Sequence, residues 1–185
     1  MMDKRVFQYY VEGECEKNFL NSFMHAKNSE FIIHPGRIEK LNPISSRISD
    51  TKARTIKRDT TIVFVFDTDI ESTSILEENI KTLNRIAYID VKDIIFLMSR
   101  KRFEEEIVYA CKKVSDVKGL IKLFNSQGLT AFKTDFLTCK NLEDKLRQAG
   151  FDISVMWTRS AQKPFDKYVN GGKLVKIKTK PNKSE

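Results

Sequence analysis

The chain has 185 residues, a net charge of +8 and a hydrophobic fraction of 41% that includes 13 Phe. That apolar content argues against a disordered protein, the length suits one domain with a sizeable core, and no apolar run approaches the ~20 residues of a membrane helix. Cys15, Cys111 and Cys139 show neither CxxC nor Cys/His finger spacing, which argues against a structural zinc site. The amino terminus, Met1-Met2-Asp3-Lys4-Arg5, runs straight into a strand-like stretch without a signal peptide's apolar region, so a cytoplasmic location is expected. The positive charge favours a polyanionic partner such as nucleic acid, although many basic proteins bind none.

In chain order, residues 5–11 read as a buried strand, rich in aromatic and β-branched side chains. Residues 15–26 switch to helical spacing, with Phe19, Leu20, Phe23 and Met24 on one face. A short strand over 30–34 stops at Pro35-Gly36, and a weaker helical pattern covers 44–57. Residues 61–66 are the clearest strand. Ser72-Thr73-Ser74 then opens a helix striped by Leu76, Ile80, Leu83 and Ala87. Residues 93–98 read as a strand, and Phe103, Ile107, Cys111 and Val114 as one helix face; another helix is expected over 117–124. A helix through Leu142, Leu146 and Ala149 ends at Gly150, before a last strand over 151–157. Strands alternating with helices predict a layered α/β domain over 1–163, with a largely parallel, Rossmann-like sheet flanked by helices on both faces. Residues 164–185, with Gly171-Gly172, Lys173, Lys176, Lys178, Lys180 and Lys183, read as a flexible basic tail.

Acidic clusters follow the strands. Val6–Val11 runs into Glu12-Gly13-Glu14-Cys15-Glu16, and Thr61–Phe66 into Asp67-Thr68-Asp69. Open α/β sheets bind ligands at the carboxyl ends of their strands. Asp67 and Asp69, two apart, project to one side of an extended chain, and such carboxylate pairs hold Mg²⁺ or Mn²⁺. Spacing alone weighs little, because 25 acidic residues in 185 give about three acid-x-acid pairs by chance. Position weighs more: acids ending a buried strand need a metal, a basic partner or full solvation. Glu104, after the strand at 93–98, is a third candidate, although acids are also favoured in any first helical turn. Cys15 beside the cluster reads as a small filler rather than a nucleophile.

Strand–Glu12-Gly13-Glu14-Cys15-Glu16 followed by strand–Asp67-Thr68-Asp69 resembles the Toprim domain of topoisomerases, primases and OLD-type nucleases. Tyr10-Val11-Glu12-Gly13, Phe66-Asp67-Thr68-Asp69 and Ser99…Phe103-Glu104 are most similar to the small RloB-like and OLD-like members, over about residues 5–157. The resemblance implies a Toprim-like sheet, Mg²⁺-dependent (or Mn²⁺-dependent) cleavage of DNA or RNA, and a place in bacterial anti-phage defence beside an ABC- or AAA-type ATPase. It makes Glu12 the general acid/base or a metal ligand, Asp67 and Asp69 metal ligands, and Glu16 and Glu104 supplementary ligands. No GxxxxGK[ST] is present, so a nucleotide motor would be a separate chain.

Lys133, between Phe132 and Thr134, is a candidate for stabilising the leaving oxygen; the alternative is an ordinary surface lysine. Arg37, Lys40, Arg47, Lys52, Arg54, Lys57 and Arg58 are candidates for phosphate contacts, the alternative being a solvated helix face. Trp157 reads as a core edge residue. Three functions stay open: a metal-dependent nuclease, a non-catalytic nucleic-acid-binding or regulatory subunit, and an acid-dependent phosphotransferase or phosphatase. A homo-oligomer is compatible with each.

Overall fold

The computed structural model describes residues 6–27 and 29–179. The first half of the chain forms β1 (Val6–Val11), α1 (Glu14–Met24), β2 (Phe31–Ile33), β3 (Gly36–Lys40), α2 (Asp50–Arg54), β4 (Thr60–Asp67) and α3 (Ser74–Thr82). A π-helical turn, Leu83–Ala87, extends α3. The second half forms β5 (Ile94–Ser99), α4 (Phe103–Tyr109), α5 (Val117–Leu123), α6 (Leu129–Thr138), α7 (Leu142–Gln148) and β6 (Lys176–Lys178).

β3, β1, β4 and β5 lie in that order in one sheet, and every pairing is parallel. Alternation along the strands splits the core in two. Phe7, Tyr9, Val11, Val63, Val65 and Leu97 face α1 and α4–α7, whereas Tyr10, Ile62, Phe64, Phe66, Phe96 and Met98 face α2 and α3. The protein is thus α/β, with a Rossmann-like parallel sheet covered by helices on both faces, as the sequence predicts. Both faces being covered explains why the strands read as continuous apolar runs. Among the described residues, no helix is long and apolar enough to cross a membrane.

The order of connections creates a crevice. From β1 the chain moves outward through α1 to β3, returns across β1 to β4, and then moves outward the other way through α3 to β5. β1 and β4 are therefore adjacent strands whose connections diverge, and the crevice opens beyond their carboxyl ends.

Several local expectations are corrected. The strand Phe31–Ile33 ends before Pro35 as expected, but Gly36–Lys40 forms a further strand that the sequence reading does not foresee, and only Asp50–Arg54 of the expected 44–57 helix is helical. The 42–49 segment instead wraps buried Asn79, which accepts from the Ile48 amide and donates to the Pro43 and Ser46 carbonyls. α4 ends at Tyr109 because Cys111 forms a β-bridge with Phe151 and the Lys113 amide bonds the Ala149 carbonyl. Lys133 lies within α6, a helix the sequence reading passes over.

Residues 151–157 are not a strand. Asp152 caps a 3₁₀ turn at Ile153–Val155, and Trp157 takes a left-handed backbone at φ 54°. The outer edge of β5 is taken instead by Asn170, which accepts from the Met98 amide at 2.6 Å and donates to the Met98 carbonyl at 3.0 Å. The boundary at 163 does not separate a free tail either. Phe165 and Val175 are fully buried, Phe165 lies against Phe66, and β6 pairs antiparallel with β2. Lys180 and Lys183 lie outside the described residues.

Candidate functional site

The carboxyl end of β1 is fixed by its neighbour. The Glu12 amide donates to the Val65 carbonyl at 3.1 Å, so Glu12 stays in register with β4. Gly13 then caps α1 with an ordinary extended backbone. A Cβ there would sit 2.7 Å from a Glu16 carboxylate oxygen, so glycine lets the buried Glu16 fold back over the chain. Glu14 points away, toward Lys17 and Lys40.

β4 runs on to Asp67, whose amide donates to Glu12 Oε2 at 3.0 Å. The next residue ties two strand ends together: the Thr68 amide and hydroxyl both donate to the Ser99 carbonyl, and the Lys101 amide donates to the Thr68 hydroxyl. Lys101 turns the chain with φ 72°, and α4 begins. Glu104 in its first turn is buried and meets Lys133 Nζ from α6 at 3.3 Å.

Glu12, Glu16, Asp67 and Glu104 are therefore brought to one crevice, with Lys133 beside them. Asp69 lies past the strand at the mouth, exposed, with Arg102 Nε 3.9 Å away. β4 ends at Asp67, so Asp69 stands just beyond the strand, where its charge adds to the rise of the Glu12 carboxyl.

The electrostatics record the crowding. Burial, then the charges of Glu16 and Glu12, push the Asp67 carboxyl up to about 8, against a hydrogen bond from the Phe103 amide. Asp67 Oδ1 is buried without a hydrogen-bond partner. Burial, with Glu12 and Glu104 nearby, raises Glu16 to about 7. Glu12 is raised by burial as well, against its bond to the Asp67 amide. Burial pushes the Cys15 thiol up to about 12, with Glu16 and Glu104 adding to the rise, which keeps it neutral and supports a filler role. Partial burial opposes the charge of Lys133, but Glu104 outweighs it and leaves the ammonium favoured.

A hard divalent cation suits this donor set. The donors are all carboxylate oxygens, one of them buried and unpartnered, and their mutual repulsion needs positive charge. The ligands are not drawn around one point, however: among the described residues, no group of three or more His, Cys, Asp or Glu is arranged to hold a metal ion.

Three contributors were not singled out from the sequence. Asn42 hydrogen-bonds Glu12, Thr68 pins β4 to β5, and the Phe103 amide bonds Asp67. The first and last come from segments distant in sequence, whereas Thr68 sat visibly between the two aspartates.

The basic residues do not make one stripe. Arg37 and Lys40 lie on β3, and the others lie around α2. Lys40 pairs with Glu14, Arg47 with Glu78 and Lys52 with Glu39, while Arg58 lies over the Tyr88 ring. No family model, no curated protein and no solved structure matches this chain.

Proposed function

We propose that this chain is a Mg²⁺- or Mn²⁺-dependent nuclease that hydrolyses phosphodiester bonds in DNA or RNA. The observation that carries the reading is the gathering of Glu12, Glu16, Asp67 and Glu104 at the switch point of the sheet, with Asp67 Oδ1 buried and unpartnered. Asp67, Asp69, Glu12 and Glu16 would hold the cation. When bound, a divalent cation polarises a phosphodiester oxygen and neutralises its developing charge. Where Glu12 is not itself a cation ligand, its carboxylate, oriented by the Asp67 amide and Asn42, would take a proton from attacking water. Lys133, paired with Glu104 beside the carboxylates, would be the ammonium that meets the departing oxygen. The Toprim resemblance supports the same reading and extends it to a defence complex with a separate ATPase.

A second reading is a non-catalytic, nucleic-acid-binding or regulatory subunit. Lys133 already answers part of the acidic charge through Glu104, and the carboxylates do not converge on one point, which favours it.

Cleavage of plasmid DNA and of tRNA with Mg²⁺ or Mn²⁺ separates the two. Asp67→Ala and Glu12→Ala should each reduce cleavage on the order of 10²-fold, the scale of losing one charge-stabilising group. Undiminished cleavage by either variant overturns the nuclease reading. Absence of cleavage in the parent protein, with retained nucleic-acid binding, supports the second.

A further inference from the structure

Along β1, from Val6 to Tyr10, runs a groove of about 510 Å³ with both polar and apolar lining, between buried β1, the edge strand β3 and the short helix α2. Gln8, 9% exposed, is among its lining residues, and its Nε2 is buried without a hydrogen-bond partner. A buried amide donor left unpaired costs stability unless an acceptor arrives. The neighbouring residue on that face, Tyr10, packs into the apolar core.

The walls are cationic. Arg37 stands beside Gln8 in register across the β1–β3 pairing, and Lys57 comes from the loop after α2. Lys52 is cancelled by its ion pair with Glu39. Among the described residues Arg37 and Lys57 stand in no ion pair, so the groove keeps two uncompensated positive charges around an unpaired N–H. An oxyanion that accepts from an amide, a guanidinium and an ammonium together satisfies all three, and phosphate does so with its several acceptor oxygens. The volume lies in the range of small-ligand pockets and exceeds what a bare phosphate fills.

We propose that this groove is a second binding site, for the phosphate of a nucleotide unit, held by Gln8, Arg37 and Lys57. It goes beyond the cleavage reading and does not rest on it. Gln8 precedes Glu12 by four residues, about 13 Å at the rise of a strand, so the Gln8 end of the groove lies away from the acidic crevice, with Tyr10 lining the groove between them.

The test uses the full-length, ¹⁵N-labelled protein without added metal. The probes are inorganic phosphate, AMP, and one DNA oligomer made with a 5′-phosphate or a 5′-hydroxyl. Saturable movement of the Gln8 side-chain amide resonances is expected. Gln8→Met, which removes the donor at similar volume, should weaken binding at least tenfold while leaving thermal stability equal or higher. Lys57→Ala, an exposed change that does not threaten folding, should weaken binding by a similar factor. Tighter binding of the 5′-phosphorylated oligomer than of AMP assigns the phosphate to a strand end, whereas equal or tighter AMP binding assigns it to a free nucleotide; both support the site. The proposal is overturned if no probe moves the Gln8 amide, or if Lys57→Ala leaves binding intact. Asp67→Asn should leave phosphate binding unchanged whatever it does to cleavage, so the two readings fail separately.

Discussion

Asp67 carries the largest electrostatic load in the crevice, and its consequences are measurable without substrate. Its carboxyl is raised to about 8 and that of Glu16 to about 7, so the folded protein holds these protons more tightly than the unfolded chain does. Raised carboxyl values mean that their stabilisation is complete below the unfolded range near pH 4 and is lost as pH rises through 7 to 8. The metal-free protein should therefore melt progressively lower between pH 5 and about 8.5 in a thermal titration. Mn²⁺ should reverse the decline, and most strongly at the alkaline end, because ligands must be deprotonated to bind it. Asp67→Asn should raise the melting temperature of the metal-free protein at pH 8 and abolish the response to Mn²⁺. An unchanged metal response in that variant would remove Asp67 from the ligand set. Cys15, held neutral by burial, should react with iodoacetamide far more slowly at pH 8 than a free thiol, while remaining alkylable after unfolding.

Elements differed in how plainly the sequence announced them, and the reason is physical. β1, β4 and β5 are covered on both faces, so burial writes itself into the chain as unbroken apolar runs. β3 is an edge strand with exposed Arg37 and Lys40; it exists because the free edge of β1 supplies hydrogen bonds, a cause invisible in Gly36-Arg37-Ile38-Glu39-Lys40. α6 is rich in Thr and Phe, which favour helices weakly, and is held by Phe132 and Phe136 packing into the ring cluster with Phe124. The alternation in 151–157 is real, but Trp157 and Met156 are fully buried without forming a ladder, because Asn170 holds the edge they would need. The acidic residues were legible because they lie at a strand end or within a few residues beyond one, and strand ends can be located without tertiary contacts. Which of them meet could not be read: Lys133 reaches Glu104 only because α6 packs beside α4's start. Glycines give a test at this scale. A Cβ on Gly172 would lie 2.6 Å from the Met156 and Trp157 carbonyls, so Gly172→Ala should destabilise by about 1–3 kcal/mol in urea titration, the range of overpacking. Gly128→Ala, with open space around the added methyl, should not carry that steric penalty.

At the scale of the molecule, residues 164–179 belong to the core unit. Phe165 and Val175 are buried, Asn170 and Gly171 bond β5, and Thr179 bonds the Glu30 carbonyl. Deleting residues 164–185 should therefore abolish cooperative unfolding and near-UV circular dichroism, not merely reduce the positive charge. A sharp, parent-like melting transition in the truncated protein would contradict this packing. The milder Asn170→Ala leaves the Met98 amide without its acceptor and should cost about 1–3 kcal/mol, the range for stranding a buried donor.

That strap also decides how the protein misbehaves when damaged. The strand it shields, Ile94-Ile95-Phe96-Leu97-Met98, is wholly apolar, uncharged and free of proline, the composition of a cross-β zipper. The opposite margin, β3, carries exposed Arg37 and Lys40, whose like charges discourage stacking of copies. Loss of the strap would thus uncover an apolar edge whose charged residues, Lys92, Asp93 and Arg100, stand only at its ends. Variants weakened at Asn170 or Gly171 should disappear from cells by aggregation rather than persist as inactive, soluble protein.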